Sequence, residues 1–330
     1  MQLTDQYNRK VNYLRISVTD RCDLRCVYCM KEKMEFLPKK EILTLEEIER
    51  LCDNFIALGV EKIRLTGGEP LVRKNIIKLV EKLNNKKKST NLKEITLTTN
   101  GTLLKHYSNI LKKNGIERIN VSLDTIDKDK YNKITRFGKL ENVLDGINEA
   151  KKNKIKIKIN TVVFKNFNEL ELEKIIEWSN SNDLDLTFIE VMPMEETDTP
   201  RDLQFVPMNE IFKKLNLIYN FIKTNDNTGG PAQYYKSNKL KIKIGFITPL
   251  TNNFCATCNR VRISSTGKLF MCLGQNDYVD FREIMRTDRG DNFIKEKIKF
   301  ALSIKPKRHD FIINSETKPY MKRHMNVTGG

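Results

Sequence analysis

Six short runs rich in branched residues, spaced by amphipathic stretches, constrain this chain more than any other feature. The runs are "NYLRISV" (12–18), "EKIRL" (61–65), "KEITLTT" (93–99), "RINVSL" (118–123), "KIKIKINTVVF" (154–164) and "DLTFIEVM" (185–192). Helical patterns such as "LEEIERLCDNFIALG", "NIIKLVEKLNN" and "ENVLDGINEAKKN" separate them, with Gly59, Gly101 and Gly115 where helix ends and turns are expected. Such alternation predicts an α/β fold with a parallel sheet and crossover helices. Six units predict an incomplete (β/α)6, TIM-like barrel.

The strand faces carry more information. Parallel strands covered by helices on both sides read as continuous apolar runs, but these alternate. Leu14, Ile16 and Val18 share one face, opposite Arg15 and Ser17. Ile63 and Leu65 oppose Arg64; Ile95 and Leu97 oppose Thr96 and Thr98; Ile157 and Ile159 oppose Lys156 and Lys158. Side chains alternate by face along a strand. The apolar faces then meet the helices, and the polar faces line a lumen. Uncompensated buried charge is costly, so Arg15, Arg64 and Lys158 point to an anionic ligand inside; an open side that wets them is the simpler reading. Lys154, at a strand start, is expected to be solvated.

Past residue 195 the pattern changes. "MPMEETDTPRDLQFVPMNE" reads as a linker, "NDNTGGPAQYY" as turn-rich, "KLKIKIGFITP" as a strand, and "RVRISSTGKLFMCLG" as a hairpin turning at Ser264–Gly267. Two helical patterns follow, near 279–287 and 291–304. This division predicts a barrel core over 1–195 and a C-terminal extension over 196–330.

Lys and Arg number 59 against 42 Asp and Glu, a net charge of +17. An excess of this size suits an anionic partner such as a nucleotide, a nucleic acid or a lipid surface, and it equally fits a lysine-rich composition. No apolar run approaches the ~20 residues of a membrane span, and the N-terminal "MQLTDQYNRK" is not a signal peptide. A cytoplasmic location follows, where disulfides are rare. The seven cysteines then need another use. Cys52 falls in a helical pattern as a core residue; the other six form two triplets.

"CDLRCVYC" sets Cys22, Cys26 and Cys29 directly after the first strand. That spacing is too compact for an ordinary structural zinc site, which closes with four ligands in two halves. Three thiolates can hold three irons of a [4Fe–4S] cluster, leaving the fourth for a small molecule. The second triplet, Cys255, Cys258 and Cys272, is likewise one ligand short. Arg260 and Arg262 share one strand face beside it, and guanidinium forks match phosphate oxygens. A zinc completed by a remote His309 or His324 is the alternative.

The first triplet, with Tyr28 before its last cysteine, resembles the radical S-adenosylmethionine (SAM) superfamily. "TGGEP" (66–70) resembles that superfamily's SAM-binding turn. Further segments run in order along nearly the whole chain: "YLRISVTDRC", "IRLTGGEPL", "LTTNG", "INVSLD", "FIEVMPM", "CNRVR" and the terminal "GG". Together they resemble the GTP 3′,8-cyclase family. The resemblance implies two [4Fe–4S] clusters on the two triplets, with SAM on the first and the guanine end of GTP on the second. It implies SAM contacts at Tyr28, Gly68, Ser122 and Met192. It implies GTP contacts at Arg15, Arg64, Thr98, Lys158, Arg260 and Arg262, the last two also catalytic, and a Gly-Gly tail that enters the crowded cavity.

The implied reaction removes hydrogen from ribose C3′, joins C3′ to guanine C8, and gives 3′,8-cyclo-7,8-dihydro-GTP, the first step of molybdenum cofactor biosynthesis. A cyclic pyranopterin monophosphate synthase would act next. A flavodoxin or ferredoxin would supply electrons. No nucleic acid or membrane is involved, and a homodimer is allowed. Asp23, Lys31 and Thr187 depart from the family's usual Asn, Pro and Arg; strand parity sets Thr187 opposite Met192 and outside the site. A peptide maturase with two clusters is the nearest rival, and a zinc-bearing nucleic-acid-binding protein a more distant one.

Overall fold

The first strand, β1 (Tyr13–Ser17), has a parallel partner on each side, and the two partners come from opposite ends of the chain. The computed structural model describes residues 2–194, 201–287, 289–312, 321 and 323–329. The strands that follow are β2 (Lys62–Thr66), β3 (Glu94–Thr99), β4 (Arg118–Ser122), β5 (Lys156–Val163), β6 (Asp185–Glu190), β7 (Ile222–Lys223), β8 (Gln233–Lys236), β9 (Ile244–Ile247), β10 (Arg260–Ile263), β11 (Lys268–Phe270) and β12 (Tyr278–Asp280). They form one sheet in the order β12-β11-β10-β1-β2-β3-β4-β5-β6-β9-β8-β7. The run from β10 through β1–β6 to β9 is parallel throughout, and the outer strands turn back antiparallel. The two margins of the sheet do not pair with each other among the described residues, so the barrel is open.

Helices α1 (Leu45–Ala57), α2 (Ile76–Lys86), α3 (Leu104–Lys113), α4 (Lys128–Thr135), α5 (Leu140–Lys152) and α6 (Leu172–Ser181) make the crossovers. Thr44 starts α1 with a capping box, its hydroxyl accepting from the Glu47 amide while the Glu47 carboxylate accepts from Thr44. The helices bury one apolar stripe each against the outer face of the sheet. Leu14, Ile16, Ile63, Leu65, Ile95, Leu97, Val121, Ile159, Leu186 and Phe188 lie in that core. Cys52 lies fully buried in the same core. The alternation read from the sequence is therefore the alternation of helix side and lumen side.

The C-terminal half differs from its expectation in detail. Only Ile244–Ile247 of "KLKIKIGFITP" becomes strand. The end of the turn-rich stretch forms β8, because its backbone completes the antiparallel margin beside β9. The four-residue α7 (Arg201–Gln204) and α8 (Met208–Tyr219) precede it. The hairpin at Ser264–Gly267 forms as expected between β10 and β11. The helix expected from 279 begins at Phe281 as α9 (Phe281–Met285), since Tyr278–Asp280 pairs as β12 and Asp280 caps the helix. The helix α10 (Asp291–Ser303) and the short α11 (Met325–Thr328) follow. Strands β7–β12 extend the barrel sheet at both margins, so the 196–330 region packs continuously with the first 195 residues. Residues 195–200 of the expected linker and Gly330 of the Gly-Gly tail lie outside the described residues. No helix among the described residues is long and apolar enough to cross a membrane.

Candidate active site

Strand direction separates the two cysteine triplets. Cys22, Cys26 and Cys29 follow the C-terminal end of β1. Cys255 and Cys258 precede β10, whose Arg260 pairs with Tyr13 at the N-terminal end of β1. Cys272 follows β11, which runs back toward that end. The triplets thus lie at opposite mouths of the barrel, separated by the length of β1, roughly 13 Å of strand rise.

A cavity of about 1070 Å³, partly open to solvent, joins the lumen to the second triplet. Arg15, Arg64, Lys158, Met192, Arg260 and Arg262 line it, together with Cys255, Cys258 and Cys272. Thr98 does not line it but accepts from Arg64 Nη1 at 3.1 Å, holding that guanidinium in place. Lys158 Nζ lies 3.0 Å from the Tyr234 hydroxyl. Arg260 packs over Phe254 at 5.0 Å. Lys154 is exposed, as expected.

The cations are crowded: Arg64, Lys158 and Arg260 are buried, and Arg15 and Arg262 are half-buried. Burial, opposed by Tyr13 and reinforced by Arg64 and Arg260, brings Arg15 down to about 10. Burial also lowers Lys158, and burial with Arg15 and Arg260 lowers Arg262 well below the usual guanidinium range. Like charges crowded into one partly buried cavity call for an anion.

Strand parity sets Asn120 on the lumen face, opposite Val121, whereas Tyr13 and Asn160 were missed. All three line the cavity, and the side-chain oxygens of Asn120 and Asn160 are buried without a hydrogen-bond partner. Their signal was strand parity with Arg15 and Lys158. Parity also misled at Thr187. It shares the face of Ile189, which lines the cavity, and pairs in register with Asn160. Met192 reaches the cavity from beyond the last residue of β6, where alternation no longer applies. Thr187 is thus a lumen-facing residue, with its hydroxyl buried and unpartnered.

At the other mouth, the TGGEP turn packs on the cysteine loop. The Gly68 amide donates to the Thr19 carbonyl at 2.9 Å, and the Glu69 amide to the Arg21 carbonyl at 2.8 Å. A Cβ at Gly68 would stand 2.3 Å from the Arg21 carbonyl oxygen. Glycine is therefore required here by the approach of two loops. The Gly68 amide is used within the protein, which leaves its carbonyl to reach a ligand. Tyr28 donates to Asp124 at 2.8 Å and packs on Phe164 at 4.8 Å. Ser122 ends β4 at this mouth, half-buried. Asp23 accepts from Asn100 at 2.7 Å and from Thr102 at 2.6 Å, pinning the cysteine loop to the loop after β3. Lys31 is exposed.

The C-terminal tail reaches the same mouth. Gly329 has φ +74° and its carbonyl accepts from Arg262 Nη1 at 2.6 Å. A Cβ there would overlap the Thr66 hydroxyl at 1.9 Å.

None of the cysteines is in a disulfide. Among the described residues, no three His, Cys, Asp or Glu side chains converge as they would around a single ion. The donor chemistry of the two triplets differs. Burial pushes the Cys22 and Cys26 thiols up, and Glu69, Asp23 and Asp124 push the same way, so both stay neutral unless a positive charge stands beside them. At the second triplet burial also raises Cys258, but Arg260 and Lys305 outweigh it and bring the thiol down to about 7. Lys305 is buried and sits 3.7 Å from Cys258 Sγ. Each triplet supplies three thiols, the donor type that an iron–sulfur centre takes. His309 stands beside Cys255. Its Nε2 is 2.8 Å from the Pro249 carbonyl, and its Nδ1 accepts from the Phe311 amide at 3.2 Å. His309 thus braces this loop through backbone partners at both nitrogens and a side-chain hydrogen bond with Cys255.

Residues 16–179 match the radical SAM superfamily, and residues 184–311 match the family described as Molybdenum Cofactor Synthesis C. The chain is 49% identical over 329 residues to a GTP 3′,8-cyclase of Nitrobacter winogradskyi, covering 100% of this chain and 96% of the relative. It is 51% identical to one of Rhizobium etli, covering 99% and 94%. Among solved structures, SuiB of Streptococcus suis bound to S-adenosylmethionine superposes with a TM-score of 0.61 at 17% identity, over 88% of this chain and 69% of that one. An anSMEcpe structure with bound AdoMet superposes at 0.52 and 22% identity, over 63% and 57%. At those identities the structures establish the open α/β barrel alone. The full-length relatives go further: the chain belongs to the GTP 3′,8-cyclase family of radical SAM enzymes.

Proposed function

We propose that this chain performs its family's cyclisation of GTP to 3′,8-cyclo-7,8-dihydro-GTP, the first step of molybdenum cofactor biosynthesis, inside the cationic cavity. One observation carries the placement: Arg15, Arg64, Lys158, Arg260 and Arg262 share a single cavity with Cys255, Cys258 and Cys272. In this reading the strand cations take the triphosphate and the second triplet takes the guanine. Cys22, Cys26 and Cys29 would hold the radical-generating [4Fe–4S] cluster; Cys255, Cys258 and Cys272 would hold a second. When bound, the first cluster and SAM supply the adenosyl radical that removes hydrogen from ribose C3′.

The chain's own part is positioning and exclusion of water. Tyr28, the Gly68 carbonyl, Ser122 and Met192 would hold SAM. Thr98 and Tyr13 fix Arg64, so the ribose stays in a near-attack position. Arg260 and Arg262 would orient guanine at the second cluster. The first 195 residues act as the barrel core and the remainder carries the second cluster. A flavodoxin or ferredoxin is the proposed electron donor, a cyclic pyranopterin monophosphate synthase the proposed consumer of product, and the cytoplasm the proposed location.

Anaerobic reconstitution with reductant, SAM and GTP tests this. About eight irons per chain and a GTP-dependent rise in 5′-deoxyadenosine are expected; zinc in place of iron, or no such rise, overturns the reading. Arg260→Ala should weaken GTP binding by about tenfold or more, the cost of a lost charged hydrogen bond, while uncoupled SAM cleavage persists. Calorimetry and product quantitation check both halves.

A further inference from the structure

Tyr13 is buried at the end of β1 and faces the cationic cavity. Its hydroxyl oxygen accepts from Arg64 Nε at 2.5 Å and lies 3.5 Å from Arg15 Nη1. Lys62 Nζ sits over its ring at 4.9 Å. A neutral phenol has a proton to donate, but a guanidinium has no acceptor atom. Both side chains at this oxygen are therefore donors, and the geometry suits an oxyanion.

The charged neighbours agree from every side. Arg15 comes from β1, Lys62 and Arg64 from β2, Arg118 from β4, and Arg260, in register with Tyr13, and Arg262 from β10. The nearby carboxylate on β3, Glu94, is already paired with Lys62 and Arg118. Burial pushes the phenol up, but Arg64, Arg15 and Lys62 overcome it and bring it down to about 7.

We propose that Tyr13 is a resident counter-anion of the substrate site, which yields to the substrate's triphosphate by taking up one proton. A phenolate shields the crowded cations from one another. A triphosphate on the same cations repels it, so the oxygen takes a proton from solvent. The resulting phenol then has an O–H to give to a phosphate oxygen. No bond other than this O–H forms or breaks. The inference rests on GTP being the ligand of this cavity.

The test is calorimetric titration of the reconstituted protein with GTP, in two buffers of different ionisation enthalpy, for wild type and Tyr13→Phe. At pH 8, a phenol with a pKa near 7 is about 90% ionised. Wild type should take up more protons per GTP than Tyr13→Phe, by about one. The difference should vanish at pH 6, where the phenol is already protonated. The wild-type Kd, divided by that of Tyr13→Phe, should rise about tenfold per pH unit above 7. Equal proton counts and a flat ratio overturn the role of Tyr13; no GTP binding to wild type overturns the ligand as well.

Lys62, held down to about 8 chiefly by burial, and Lys158 can also take up protons. Should Tyr13→Phe fail to fold, Lys62→Met titrated across pH decides: Lys62 is one of the charges that hold the phenol down, so uptake belonging to Tyr13 moves to higher pH and remains there, whereas uptake that vanishes or stays at the same pH overturns the proposal.

Discussion

Single residues at the SAM-side mouth are fixed by contact distances that leave little choice. Gly68 is the sharpest case, with two carbonyl groups of the cysteine loop against its open side. Gly68→Ala must push the TGGEP turn off that loop, costing about 1–3 kcal/mol in line with overpacked sites. Denaturant unfolding should read that loss, and SAM binding should weaken with it. The sequence marked this glycine through a motif but could not give the reason. The partner atoms belong to Asp20 and Arg21, nearly fifty positions away, and only tertiary packing brings them together. Tyr13 was missed for a different cause. Parity with Arg15 marks its face, but its charged neighbours become apparent only when β1, β2 and β10 lie side by side.

At the level of strands and helices, the β1–β6 barrel was legible because its alternation repeats six times. Each lumen face follows from parity as long as the strand continues. Parity failed at Met192 and Thr187 because β6 ends at Glu190. The C-terminal strands were less legible because they are short and borrow their pairing from a barrel formed elsewhere. Glu94 ties three neighbouring strands together. Its carboxylate bridges Lys62 on β2, 3.0 Å away, and Arg118 on β4. Burial alone would raise its pKa, but the Arg118 hydrogen bond and the charges of Lys62 and Arg118 bring it down to about 2. Its folded value lies below the unfolded 4.5. Its contribution is therefore complete above pH 4.5 and is lost as pH falls through about 2. Glu94→Gln should flatten that window: between pH 5 and 3.5, the denaturant midpoint should drop less than in wild type.

Across the whole molecule, both ends of the chain are tied to the second triplet. Arg9 is buried, with Nε 2.6 Å from Asp5. It donates to the carbonyls of Cys255, Lys307 and Pro306 at 2.8, 2.8 and 2.6 Å. Arg9→Met strands Asp5 without its partner and should cost about 3–5 kcal/mol. Iron analysis after reconstitution should find the second centre depleted while circular dichroism retains the barrel signal. The placement of β10 beside β1 has its own effect on how the protein is made. Asn12 and Asn259, joined through their side chains, are 247 residues apart. Strand β1 thus leaves the ribosome well before its partner β10 and keeps one edge bare until β10 is made, a template for wrong partners. Such distant pairing is slow to form. The cavity lined by Arg15, Arg64, Arg260 and Arg262 is therefore complete only after β10 has been made, and a nascent chain has Cys22, Cys26 and Cys29 in hand long before it can close that cavity.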